Sequence, residues 1–233
     1  MIVGKGLIAS QFNDWWKGKD VIIFASGVSN SNEIKKSEYQ REKHLIKTFF
    51  PSEKLFVYFS TCSIFDKTLE KSLYVKHKLE IEKLIKNNFT NYFILRLPNV
   101  IGKSKNQNTF FNYFHRAIVN KNEIQIQKNN IRYFLDVEKI EPMVRYIYNN
   151  RSDWNITINM IFNDPVSIPN VLRMMEKAIG SNANKIIVDE GVEYTIPDEN
   201  FSKYKSKIFD NINDQGYTER VIKKYVESMN NVL

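Results

Sequence analysis

Leu55-Phe56-Val57-Tyr58-Phe59-Ser60-Thr61, with Tyr74-Val75-Lys76-His77-Lys78 after it, decides the fold. Leu55 to Phe59 is apolar without a break, as in a strand buried on both faces, and Ser60 and Thr61 sit at its C-terminal end. From about Ser72 to Lys86, residues Leu73, His77, Ile81 and Leu84 recur at helical spacing. Tyr92 to Leu97 is the next strand, ended by Pro98. Strand, helix and strand in this order build a parallel sheet.

The same alternation extends in both directions. Upstream, Val21 to Ala25 is a second buried apolar run, Ser26 to Asn30 is its exit loop, and Glu33 to Phe50 reads as a helix stopped by Pro51. The chain opens with the short apolar segment Met1-Ile2-Val3, the turn Gly4-Lys5-Gly6-Leu7-Ile8-Ala9, and an amphipathic stretch to about Trp16 that reads as a helix. Downstream, helices are expected over 110–119, 142–148, 168–179 and 216–229, and strands over 124–127, 132–137, 154–159 and 185–188. The expected fold is α/β, a doubly wound parallel sheet.

The chain has 233 residues, enough for one α/β domain with a small C-terminal lobe, and 42% of them are hydrophobic. One cysteine excludes a disulfide framework and a cysteine-rich metal site. The histidines His44, His77 and His115 lack metal-ligand spacing, so no metal is expected. No apolar run is long enough to span a bilayer and the N-terminus lacks the pattern of a signal peptide, so the expectation is a cytoplasmic protein with no membrane partner. The formal charge of +8 suits a polyanionic ligand, but the lysines are spread along the chain and no nucleic-acid module stands out. Nucleic acid is therefore not expected as a partner.

Tyr74 and Lys78 lie one helical turn apart on one face. The lysine's charge is expected to favour the phenolate and pull the tyrosine toward the working pH. With the Thr61 hydroxyl, the trio can move a proton to or from a carbonyl or alcohol oxygen. Gly4-x-Gly6-x-x-Ala9, between a strand and a helix, fits a dinucleotide turn: a tight bend, close backbone approach to a pyrophosphate, and free N–H groups at a helix start. The acidic or basic residue that ends the second strand of such a fold is missing, because the chain runs straight into Val21–Phe24 with no room for a second and third strand.

In this order the segments resemble the extended short-chain dehydrogenase/reductase superfamily, in its sugar-nucleotide epimerase, dehydratase and reductase branch. Residues 4–9 resemble the family's glycine turn, and 24–29 the loop that lies along the cofactor. Residues 59–65 are similar to the catalytic strand, with Thr61 at the Ser/Thr position, and 74–82 to the YxxxK helix. Residues 96–102 are similar to the segment closing over nicotinamide and substrate, and 132–137 to a nucleotide-phosphate arginine followed by an aspartate turn. The resemblance implies a Rossmann-like sheet truncated at its second and third strands, with a dinucleotide-binding core over 1–100. The substrate-binding lobe, interleaved with the last core elements, spans 101–233.

The resemblance also implies the site. Tyr74, Lys78 and Thr61 would be catalytic. Gly4, Gly6, Leu7, Ile8, Ala25, Ser26, Gly27, Ser60, Lys78, Leu97 and Asn99 would hold NAD or NADP, with NADPH preferred for a reductase. Thr61, Cys62, Ser63, Asn99, Asn108 and Arg132 would bind a nucleotide-diphosphate sugar. The dehydratases carry an acid pair after the threonine, where this chain has Cys62 and Ser63, which turns the expectation from elimination to redox. The implied function is reduction of a nucleotide-linked keto-sugar, of 4-keto-6-deoxy type, in surface polysaccharide sugar biosynthesis. The alternatives are a nucleotide-sugar epimerase and a degenerate, non-catalytic nucleotide-binding member. A homodimer through the helix carrying Tyr74 and Lys78 is expected.

Overall fold

The structure is a computed structural model, and it describes residues 1–104, 106–107, 109–198, 200–209 and 212–230. The first half carries β1 (Ile2–Val3), β2 (Val21–Phe24), α1 (Lys36–Lys47), β3 (Leu55–Thr61), α2 (Leu73–Asn88), β4 (Tyr92–Leu97), β5 (Asn99–Ile101) and α3 (Phe110–Val119). Then come β6 (Glu123–Gln127), β7 (Ile131–Arg132), β8 (Phe134–Asp136), α4 (Ile140–Asn149) and β9 (Ile156–Asn159). The last elements are β10 (Val166–Ser167), α5 (Ile168–Ile179), β11 (Asn184–Val188), α6 (Phe201–Ile208) and α7 (Tyr217–Asn230).

Two compact units share this chain. One comprises Met1–Leu97, Val137–Met160 and Ile196–Asp210; the other comprises Pro98–Asp136, Ile161–Thr195 and Asn211–Leu233. The first is built on a five-stranded sheet of order β1-β2-β3-β4-β9, parallel throughout. All seven residues of β3 are buried, because the strand has a neighbour on each edge and a layer on each face. Side chains alternate between the faces. Ile22, Phe24, Phe56, Tyr58 and Ile94 pack with Ile46 of α1 and with Ile81 and Ile85 of α2. On the opposite face Phe59 meets Phe12, and Trp16 donates from Nε1 to Glu141 Oε1 of α4 at 2.9 Å.

The strand order never reverses, and β1 is an edge strand with one neighbour among the described residues. This is the sheet expected if the second and third strands are lost. The segment after the glycine turn departs from expectation. It is not an α-helix but two 3-10 turns, Ala9–Gln11 and Asp14–Trp16. Asn13 breaks it: its side chain accepts the Trp15 N–H, a local bond that competes with the helical ladder. Phe12 and Trp16, both buried, then pin the two turns into the core.

The second unit pairs β5 with β8 and β6 with β11, both parallel, and β7 with β10, antiparallel. The strand expected over 132–137 is split at Tyr133, whose carbonyl accepts both the backbone and the side-chain amide of Asn99. Asp136 accepts Lys224 Nζ at 2.8 Å and the Tyr225 hydroxyl at 2.6 Å, which ties α7 to β8. Helix α5 ends at Gly180, whose φ of +75° gives the left-handed cap that glycine adopts without strain. The periodicity did not reveal β5, β10 or α6, which are short. No helix among the described residues is long and apolar enough to cross a membrane.

Candidate active site

Parallel strands bring their C-terminal ends to one edge, where open α/β sheets place ligands. At this edge lie Gly4 after β1, Ala25-Ser26-Gly27 after β2, Ser60-Thr61 closing β3 and Leu97 closing β4. Gly4 has φ of +126°, and a Cβ there would stand 2.4 Å from the Ala25 carbonyl oxygen, so the bend against β2 requires glycine. Gly6 is different: a Cβ would meet nothing within 4 Å. The backbone N–H groups of Gly6, Leu7 and Ile8 donate to no protein acceptor among the described residues. Successive backbone amides without a protein acceptor can receive an anion. The segment therefore fits a pyrophosphate through backbone amides, without the α-helix dipole that the sequence led us to expect.

Ser72 starts α2 by accepting the Val75 N–H at 3.1 Å, which sets Tyr74 in the first turn. Tyr74 is buried, with the Thr61 hydroxyl close enough to favour its phenolate; Thr61 Oγ1 donates to Ser63 Oγ and accepts the Ser63 N–H, each at 3.0 Å. The structure therefore brings the two hydroxyls together. It does not depress the phenol, and the expectation of a lowered tyrosine is corrected: burial pushes Tyr74 up to about 12, the Thr61 hydroxyl opposes the rise, and the Glu42 carboxylate adds to it.

The reason is where the Lys78 charge goes. Its Nζ donates to Glu42 Oε1 at 3.2 Å and to the Tyr58 hydroxyl at 3.0 Å, and lies 5.8 Å from the Tyr74 ring centroid. Glu42, fully buried on α1, also accepts the Tyr58 hydroxyl at 2.6 Å, the Val28 N–H at 2.6 Å, and a bond from His77 Nε2 at 3.0 Å. Burial alone would raise the Glu42 carboxyl, but the Lys78 charge and the bonds from His77, Tyr58 and Val28 outweigh it and hold it at about 2. Lys78 is itself lowered, because its burial outweighs the attraction of Glu42. Gly27 closes over this pair: a Cβ there would lie 2.8 Å from both Lys78 Nζ and Glu42 Oε1.

Sequence reading missed Glu42, Tyr58 and Arg41. A signal existed for Glu42, which shares the buried stripe Tyr39–Glu42–Ile46 of an otherwise polar helix. Arg41 beside it donates through Nη1 and Nη2 to the Ser26 carbonyl at 3.2 and 3.1 Å, fixing the loop after β2.

The other predicted residues divide between the units. Ser60 Oγ donates to Glu82 Oε1 at 2.6 Å, and Arg96 grips the same carboxylate at 2.9 and 2.6 Å. Cys62 is buried with Sγ 3.4 Å from the Arg96 carbonyl oxygen, and burial pushes its thiol well up. In the second unit, Asn99 Nδ2 donates to the Tyr133 carbonyl at 3.1 Å and Arg132 Nη1 to the Ile131 carbonyl at 2.9 Å, so these two residues flank one short backbone segment. Asn108 lies outside the described residues.

No protein-family model and no curated protein matches the chain. Solved structures do. The chain is similar to a UDP-glucuronic acid 4-epimerase from Bacillus cereus in complex with UDP-glucuronic acid and NAD, at 17% identity and TM-score 0.69, over 92% of this chain and 77% of that one. It is similar to a dTDP-4-dehydrorhamnose reductase from Clostridium acetobutylicum at 13% identity and TM-score 0.72, over 98% of each chain. A third likeness is to RMD from Pseudomonas aeruginosa complexed with NADPH, at 14% identity and TM-score 0.66, over 93% of this chain and 84% of that one. The sheet, its edge and these likenesses agree on the fold: the chain has a Rossmann-like α/β fold similar to that of these sugar-nucleotide epimerases and reductases.

Proposed function

We propose that this protein is an NAD(P)H-dependent reductase of a nucleotide-diphosphate-linked keto-sugar, of 4-keto-6-deoxy type. The observation that carries the proposal is the buried Tyr74 phenol in the first turn of α2, with Thr61 at the C-terminal end of β3 and the Lys78 ammonium 5.8 Å from its ring centroid. A neutral phenol is the form that donates a proton to a carbonyl. The cofactor, when bound, supplies the hydride. Gly4, the amides of Gly6, Leu7 and Ile8, the Ala25–Gly27 loop, Lys78, Leu97 and Asn99 would hold it, with NAD and NADP both open. Ser60 serves by bracing Glu82 against Arg96.

In this mechanism Thr61 orients the substrate carbonyl oxygen and Tyr74 gives that oxygen its proton as the alkoxide forms. Lys78 would offer its remaining N–H to a ribose hydroxyl of the bound cofactor and would stabilise the phenolate left behind. Asn99 and Arg132 would carry the diphosphate, where a guanidinium supplies geometry as well as charge. Cys62, buried and with its thiol raised, is no general acid, so elimination of water is not expected. Self-association through α2 belongs to the same reading, since Leu73 and Leu79 of that helix are 49% and 43% exposed.

The experiment is turnover of NADH and NADPH, followed by nicotinamide absorbance, with dTDP-, GDP- and UDP-linked 4-keto sugars, for the wild type and Tyr74→Phe. Stoichiometric cofactor oxidation that Tyr74→Phe abolishes is the expected result. Interconversion of nucleotide sugars without net absorbance change would replace the reductase with an epimerase. A second reading, a nucleotide-binding member without chemistry, is favoured by the missing α-helix after Gly6. Ligand-induced thermal shifts with no turnover on any of these substrates would establish it.

A further inference from the structure

Glu42 takes no part in the proton transfer proposed above, yet its two oxygens receive bonds from Lys78, Tyr58, His77 and the Val28 amide inside the fold. Stability alone is a weak reason for such a pair, because apolar side chains of similar volume usually serve as well. The stronger reason is Lys78. An ammonium buried without a counter-charge loses its proton, and a neutral lysine cannot stabilise a phenolate. An ammonium has three N–H groups, and two are directed at Glu42 Oε1 and the Tyr58 hydroxyl. These bonds hold Nζ between the rings of Tyr58 and Tyr74, 4.9 and 5.8 Å from their centroids. Gly27 leaves no room for even a methyl group above the pair, which keeps the contact close.

We propose that Glu42 is the positioning residue of Lys78: it keeps the buried ammonium charged and fixes its direction, so that one N–H remains for the reacting side of the site. The proposal rests on the reductase reading for its consequence in catalysis, but not for the state of Lys78 itself. The groups around that ammonium are Glu42 and Arg41 of α1, Tyr58 of β3, and Tyr74 and Glu82 of its own helix, with His77 reaching it through Glu42. Of the acidic members, Glu42 is the one in direct contact.

Two readouts test this. The first is the Nζ resonance of Lys78, assigned by Lys78→Arg and followed through a pH titration of the protein without ligand. In the wild type it stays charged through neutral pH, and in Glu42→Gln it loses its proton at a lower pH. The second is the alkaline limb of kcat, which moves to lower pH in Glu42→Gln with kcat down at least ~10-fold; a purely structural role would leave that limb in place. If Glu42→Gln does not fold, Glu42→Asp withdraws the carboxylate by one methylene and must move the Lys78 titration in the same direction by less. A Lys78 titration unchanged in the folded variants overturns the proposal. Full activity in Tyr74→Phe would instead remove the reductase reading, and the resonance titration would still decide the role of Glu42.

Discussion

Acid should reach Glu42 only after most of the surface carboxylates, and the stability it holds is lost on the way. The carboxyl has an ordinary value of 4.5 and is held at about 2 in the fold. A group depressed on folding contributes stability that is fully present above its unfolded value and is lost as pH falls through the folded one. The window is therefore pH 4.5 down to about 2, and the depth of the shift corresponds to about 3 kcal/mol. Other carboxylates titrate in the same range, so the wild type alone does not isolate this one. The difference between the wild type and Glu42→Gln does. Lysines stripped of their counter-charge still titrate at or above about pH 5, so Lys78 is charged in both proteins across that window. Urea unfolding in a pH series should show the wild type ahead by about 3–5 kcal/mol near pH 5, the usual cost of leaving a buried charge unpaired. That lead should shrink by about 3 kcal/mol on the way to pH 2. A lead that stays flat over the window would refute the claim that the buried ion pair holds the carboxyl down.

Three further outcomes follow from the geometry. Gly4→Ala forces a side chain into φ of +126° and to 2.4 Å from a backbone oxygen, so it should cost at least about 1–3 kcal/mol and detach β1; urea unfolding at full stability would contradict this. Gly27→Ala drives a methyl group to 2.8 Å from both Lys78 Nζ and Glu42 Oε1, so overpacking of about 1–3 kcal/mol should appear in thermal melts together with reduced turnover. Arg96→Ala removes the bidentate partner of Glu82, whose side chain is 4% exposed, and should destabilise by about 3–5 kcal/mol, where Ser60→Ala costs only about 1 kcal/mol. Equal melting temperatures for those two variants would show that Arg96 is not what keeps the Glu82 charge paired.

The central layer was legible because buried parallel strands and the helices between them leave periodic signals over several residues. Val21–Phe24, Leu55–Thr61, Leu73–Asn88 and Tyr92–Leu97 fall within a few residues of where apolar runs and spacing put them. Short elements carry too few residues for a period, which is why β5, β10 and α6 were missed and the strand after Ile131 was read as continuous. The helix expected after Gly6 failed for a local reason, the Asn13 side chain competing for a backbone amide. Spacing singled out Tyr74, Lys78 and Thr61 as candidates, but what each does to the others was not legible in it.

The sequence by itself determined the α/β class, the parallel order of its central strands and the placing of Thr61 at a strand end and Tyr74 at the start of the next helix, because these depend on residues close along the chain or on strand ends that parallel pairing must collect. Only the tertiary structure decided the electrostatics. Glu42 is 36 residues from Lys78, and nothing local says that a carboxylate from α1 will reach the ammonium of α2. In a buried site an ionisable group responds to whatever charge lies within a few ångströms and to the water it has lost. Both are properties of packing, which is why Lys78 turned to Glu42 and Tyr74 kept its proton.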